Sequence, residues 1–164
     1  MSLPDSGRNN VEKRKPALVH QAMTVVDTNL LLQKAIQQLP QTVKNAIILR
    51  CDELARLQIS EEALEKAFVH LLQMITEGRE TDVKLFLHIT CSAERKHERE
   101  KGAASISRYK IQFHTNSCPL AGRIKEAERR MDSIASLLLP FDGSLEVNQL
   151  KHSGSVFIIT LPGK

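Results

Sequence analysis

The tail of the chain constrains its fold most. From Leu120 to Leu139 apolar residues recur at helical spacing, namely Ile124, Ala127, Met131, Ile134, Ala135 and Leu138. Asp142-Gly143 then breaks the pattern. In Ser144-Leu145-Glu146-Val147 the apolar residues alternate with polar ones. In Ser153-Gly154-Ser155-Val156-Phe157-Ile158-Ile159-Thr160-Leu161-Pro162, Val156 and Ile158 take one face while Phe157, Ile159 and Leu161 take the other. Period-two alternation on either side of a loop is the pattern of a β-hairpin. The tail therefore reads as a long helix, a glycine turn and a hairpin.

The remainder reads as alternating strands and helices. Thr24-Val25-Val26 is a short strand, and Asp27 or Thr28 can cap the helix that follows. Leu31, Leu32, Ala35, Ile36 and Leu39 form its stripe, and Pro40 stops it. Ala46-Ile47-Ile48-Leu49 has strand length. Ser60-Glu61-Glu62 opens a second helix with acids where the dipole favours them, and Leu64, Phe68, Leu71, Leu72 and Ile75 make its core face. Val83, Leu85, Leu87 and Ile89 alternate as one strand, and Tyr109, Ile111 and Phe113 as the next. The predicted order is β-α-β-α-β-β-α-β-β. Between the two middle strands Glu94 to Lys101 mixes both signs of charge, as a solvated hairpin extension does.

At 164 residues the chain is long enough to bury a core within one domain. With no Trp and one Tyr, that core must be aliphatic. Residues 1–22 are expected to be an arm or linker, opening with Met1-Ser2-Leu3 as a cloning remnant, and residues 23–164 to be the domain. No apolar run reaches membrane-span length and no secretory signal opens the chain, so the domain is expected to be cytoplasmic and to make no membrane contact. Cys51, Cys91 and Cys118 are odd in number and lack CxxC spacing, which argues against a disulfide or metal framework. The net charge of +4 permits contact with nucleic acid without arguing for it, and the charged connector lacks the aromatics that stack on bases.

The series of segments resembles the ATP-binding domain of sensor histidine kinases, a member of the Bergerat fold shared with gyrase, the large heat-shock chaperone and mismatch-repair ATPases. Val26-Asp27-Thr28-Asn29-Leu30-Leu31 is similar to the family's opening, and Ile59 to Leu72 to the segment entering its asparagine box. The C-terminal helix and Leu-Pro-terminated hairpin match its end. The resemblance implies an α/β, two-layer α+β sandwich: a mixed sheet with helices on one face and the other face partly exposed or packed against a partner.

Where the family holds its nucleotide, this chain departs from it. The asparagine box reads roughly N-L-L-x-N-A in active members, and its second Asn holds Mg²⁺. Here it is His70-Leu71-Leu72-Gln73-Met74-Ile75, so the metal position falls on Met74, a soft thioether unsuited to a hard cation. The first Asn is His70; a lone His on a helix is ordinarily a surface or satisfied residue. The D-x-G-x-G motif, whose Asp accepts the adenine amino group, is replaced by Phe113-His114-Thr115-Asn116-Ser117-Cys118-Pro119, without carboxylate or glycine. The lid shrinks to Ser117–Gly122. Gly122 survives from the last glycine box, and Arg123 or Lys125 could touch an anion, although solvation is their plainer role. His70, Met74, Thr115, Asn116, Gly122 and Arg123 are thus the pocket equivalents, expected to be non-functional, with no catalytic or metal-binding residue and no cofactor.

Other chemistry finds no foothold. There is no P-loop, G-x-S-x-G or H-E-x-x-H. Asp52-Glu53 and Glu61-Glu62 read as capping and solvated acids at helix approaches. His20, in the arm without a flanking amphipathic helix, makes a poor phosphoacceptor. The expectation is a motif-degenerate kinase domain that binds or scaffolds a protein partner in two-component signalling, such as a dimerising helical segment or a response regulator, with ATP binding and phosphotransfer weak or absent. A second reading is a competent kinase domain binding ATP and Mg²⁺ through Thr115, Asn116 and Arg123. A third, a nucleic-acid-binding module, would show steep salt dependence.

Overall fold

The computed structural model describes residues 23–77, 83–97, 104–117, 124–150 and 154–163. Their elements are β1 (Thr24–Val26), α1 (Thr28–Gln37), α2 (Gln41–Ala46), β2 (Ile47–Cys51), β3 (Leu57–Ile59), α3 (Glu61–Glu77), β4 (Leu85–His97), β5 (Ala104–Thr115), α4 (Ile124–Leu138), a 3₁₀ turn (Leu139–Phe141), β6 (Ser144–Leu150) and β7 (Gly154–Pro162).

The main sheet has five strands in the order β2-β4-β5-β7-β6. Only the β2–β4 pair is parallel, so the sheet is mixed, as expected. Its covered face carries Leu85, Leu87, Ile89, Ile111, Phe113, Phe157, Ile159 and Leu161, all buried in one cluster with the helices. The opposite face is partly open. The tail hairpin pairs Leu145 with Ile159 and Val147 with Phe157, which places its two half-buried residues on the core side.

The long helix α3 is the centre of the core. Ser60 caps it, its hydroxyl accepting from the Ala63 N–H at 3.3 Å, and Glu61 and Glu62 occupy the first turn. Leu64, Phe68, Leu71, Leu72 and Ile75 are fully buried, as their spacing requires. Phe68 meets Phe113 of β5 in a tilted pair with centroids 5.8 Å apart, and with Phe157 also fully buried the core is not purely aliphatic, contrary to the expectation from the scarcity of Trp and Tyr. Helix α1 is capped by Asp27, whose carboxylate accepts from Leu30 N–H at 3.3 Å.

Four further details differ from the sequence-based expectation. Leu57–Ile59 forms an unexpected strand, β3, antiparallel to β1 in a separate two-stranded ribbon; three residues are too few for a period to show. Pro40 ends α1 and also opens the short helix α2, where a missing N–H costs nothing. Val83 stands exposed ahead of β4, which starts at Leu85. Asp52 is no helix-capping acid: it follows β2 and faces His88 across 3.5 Å. The charged connector does extend the hairpin, since β4 and β5 stay paired to His97 and Ala104, with a bulge at Glu94/Arg95. Lys110 Nζ lies 2.7 Å from Glu94 Oε1 and holds that carboxyl below its usual range.

Candidate functional site

The region to test for a nucleotide site lies where the end of α3 meets the end of β5. One turn of α3 decides which box residues face inward. His70 and Gln73 are exposed, whereas Met74 and Ile75 are buried at 2% and 0% exposure. Helical periodicity therefore separates the two asparagine-box equivalents. His70 points away from the core, and Met74 is part of the apolar cluster.

The polar residues after β5 are drawn into backbone hydrogen bonds. Thr115 is buried, and its hydroxyl oxygen accepts from the Ser117 N–H at 3.1 Å. The buried Ser117 hydroxyl donates to the Ile75 carbonyl at 2.8 Å, satisfying one of the carbonyls left over at the end of α3. Asn116 behaves as a strand of one residue. Its Oδ1 accepts from Phe86 N–H at 2.9 Å and its Nδ2 donates to the Lys84 carbonyl at 2.9 Å, so its amide continues the β4 ladder where β5 has stopped. Thr115 and Asn116 are thus brought close to the end of α3, with their side-chain oxygens already in use. Gly122 and Arg123 lie outside the described residues.

Two residues at this place carried no recognised signal in the sequence. Ser155 pairs with Thr115 across the sheet, is fully buried, and its Oγ has no hydrogen-bond partner among the described residues. A buried hydroxyl left unpaired costs about 1–3 kcal/mol. Gly154, just before it, has φ +112°, and a Cβ there would lie 1.9 Å from the Thr115 carbonyl oxygen. The short Gly-Ser pair opening the last strand was the available clue. Above them Arg130 of α4 holds Glu77 of α3 at 2.7 Å, tying the two helices together beside the site.

A second hollow, of about 520 Å³, lies under the start of α1 and is lined by Asp27, Glu53, Arg56, Cys91 and Tyr109 among others. Asn29 builds its wall by accepting from Leu54 N–H and donating to Leu54 C=O, at 3.1 and 3.3 Å. Thr28 adds a hydrogen bond to Ala55 C=O at 2.7 Å. Elsewhere, burial first and the Asp52 carboxylate second push the Cys51 thiol up, which disfavours the reactive thiolate. Among the described residues no three His, Cys, Asp or Glu side chains form a metal-binding group, and no helix is long and apolar enough to cross a membrane.

With this geometry in place, the chain is similar to solved structures of sensor histidine kinases. The mycobacterial sensor histidine kinase MprB matches with TM-score 0.65 at 10% identity, over 87% of this chain and 99% of that one. The nucleotide-free catalytic domain of histidine kinase ThkA matches with TM-score 0.61 at 14% identity, over 85% and 95%. Full-length ShkA in complex with AMPPNP matches with TM-score 0.63 at 14% identity, over 86% of this chain and 31% of that one. The fold is that of the histidine kinase ATP-binding domain. No protein-family model matches the chain, and no curated protein does.

Proposed function

We propose that this domain keeps the histidine kinase fold without its nucleotide chemistry and serves two-component signalling as a protein-binding or scaffolding module. The observation that carries this reading is the engagement of the pocket residues with their own protein. Met74 is packed in the core where a hard cation needs an oxygen. The Asn116 amide belongs to the β4 ladder, and the Thr115 and Ser117 hydroxyls belong to the turn and to α3. A nucleotide would have to break these bonds before making its own. Each charge-assisted contact it lacks is worth about 1.5–3 kcal/mol. The partner would be a dimerising helical segment or a response regulator, and the setting cytoplasmic.

Thermal unfolding with and without ATP and Mg²⁺ tests the proposal. A ligand at a hundred times its Kd stabilises by about 2.7 kcal/mol, which moves Tm by roughly 5–10 °C in a domain of this size. No shift is expected at millimolar ATP. A dose-dependent rise that requires Mg²⁺ would overturn the proposal.

One observation favours the competent-kinase reading: the unpaired Ser155 hydroxyl beside Thr115. If it serves only the apo fold, Ser155→Ala should remove an unmet desolvation cost and stabilise the protein by about 1 kcal/mol. If it contacts a bound base, the same substitution should weaken ATP binding. Chemical denaturation and nucleotide titration of the one variant separate the two outcomes.

A further inference from the structure

The open face of the sheet is polar along β4, β5 and β6, with Thr90, Ser92, Lys110, Gln112, Glu146 and Asn148, while β7 between β5 and β6 places Val156 and Ile158 there. At one end this changes. Ile48 of β2, Phe86 of β4 and Leu150 of β6 are 48%, 53% and 46% exposed. They border a groove of about 490 Å³ that also takes in Arg50, His88 and His114. The register explains the assembly. Ile48 stands beside Phe86, Arg50 beside His88, and His88 opposite His114, with the two imidazole rings 5.9 Å apart.

A concave apolar floor with a few convergent polar groups is the general form of a small-ligand site. The charged side chains at this end are Arg50, Lys84 and Asp52, and the uncharged Thr115, Asn116 and Ser155 also line the groove. The Arg50 side chain is 79% exposed, and its one described ionic contact is Asp52 Oδ1, 4.0 Å from Nε. Its two terminal nitrogens are unpaired among the described residues. Lys84, whose carbonyl accepts from the groove residue Asn116, is exposed at the same end. Two fixed cations therefore stand against the Asp52 carboxylate, and β6 and β7 bring uncharged Asn148 and Val156 to this part of the face. His88 and His114 add ring nitrogens, with His88 Nε2 3.5 Å from Asp52 Oδ1.

We propose that this groove binds a small amphipathic carboxylate, an acyl or aryl acid whose apolar body lies on Ile48, Phe86 and Leu150 and whose head group is held by Arg50, His88 and His114. The groove shares Thr115, Asn116 and Ser155 with the nucleotide-pocket equivalent, so this inference rests on that pocket being closed to ATP. A planar guanidinium matches a carboxylate with two parallel N–H donors, which a neutral or cationic amphiphile cannot accept.

Amide NMR titrations of the ¹⁵N-labelled chain with octanoate, octanol and octylammonium test this. Octanoate should shift the Phe86, His88 and His114 amides saturably, and at least fivefold more tightly than either analogue. Arg50→Gln should cost octanoate fivefold or more while leaving octanol unchanged. The His88→Gln/His114→Gln pair should weaken octanoate binding while leaving octanol unchanged. These side chains are outside the core cluster, and unchanged melting of the variants would confirm that binding alone is altered. Equal binding of all three amphiphiles, or full octanoate affinity in Arg50→Gln, would overturn the proposal. So would an acidic amphipathic peptide that binds the face where octanoate does not.

Discussion

Gly154→Ala is expected to destabilise the protein by about 2–6 kcal/mol, the sum of backbone strain and overpacking, each about 1–3 kcal/mol. The cause is local and severe. At φ +112° an L side chain is strained before any contact is considered, and a Cβ would lie 1.9 Å from the Thr115 carbonyl oxygen and 2.7 Å from the Asn116 Cα. These are backbone atoms of the neighbouring strand and cannot swing aside. Relief would require the start of β7 to lift from β5, losing the Thr115–Ser155 pairing that walls the pocket region. A fall in Tm on the order of 10 °C should follow, measured by circular dichroism. A change below about 2 °C would show that β7 has a slack that the close approach of the two strands denies.

Met74→Asn is the second large effect, and it tests whether the pocket is one substitution from working. The substitution restores the oxygen ligand that the asparagine box requires. It also places an amide in a position 2% exposed within the apolar cluster. An amide buried without partners costs about 1–3 kcal/mol, and loss of the thioether packing adds to it. The expected result is a lower midpoint in urea, by about 3 kcal/mol of stability, with no Mg²⁺-dependent ATP binding. Wild-type stability together with Mg²⁺-dependent nucleotide binding would refute the closed-pocket account.

The contrast between Met74 and Asn116 shows how far sequence reasoning reached into the site. The unsuitability of Met74 was legible because ligand hardness is a property of the side chain itself. Its inward direction followed from the stripe of Leu64, Phe68, Leu71 and Leu72 on the same helix. Asn116 was not legible in the same way. Its partners, Lys84 and Phe86, are separated from it by 32 and 30 residues. Nothing in a local pattern reports a hydrogen bond over such a separation. Ser155 was likewise visible only as one residue of a strand.

Short elements were lost for a related reason. The three residues of β3 show no period and owe their conformation to β1 across the ribbon. Ile48 belongs to an apolar run of strand length and Phe86 to the strand of Leu85, Leu87 and Ile89, yet β2 and β4 bring the two side by side on the uncovered face.

The amino-acid pattern alone determined the succession of long helices and paired strands, the face each would bury, and the absence of an oxygen ligand at position 74. Those properties follow from periodicity and side-chain chemistry, which act within one turn or one strand. Tertiary structure alone decided that the polar atoms after β5 would be consumed by α3 and β4. It also decided that Arg50, His88 and His114 would meet beside an apolar floor. Both depend on strand register, which is set when distant segments pair to bury a shared core.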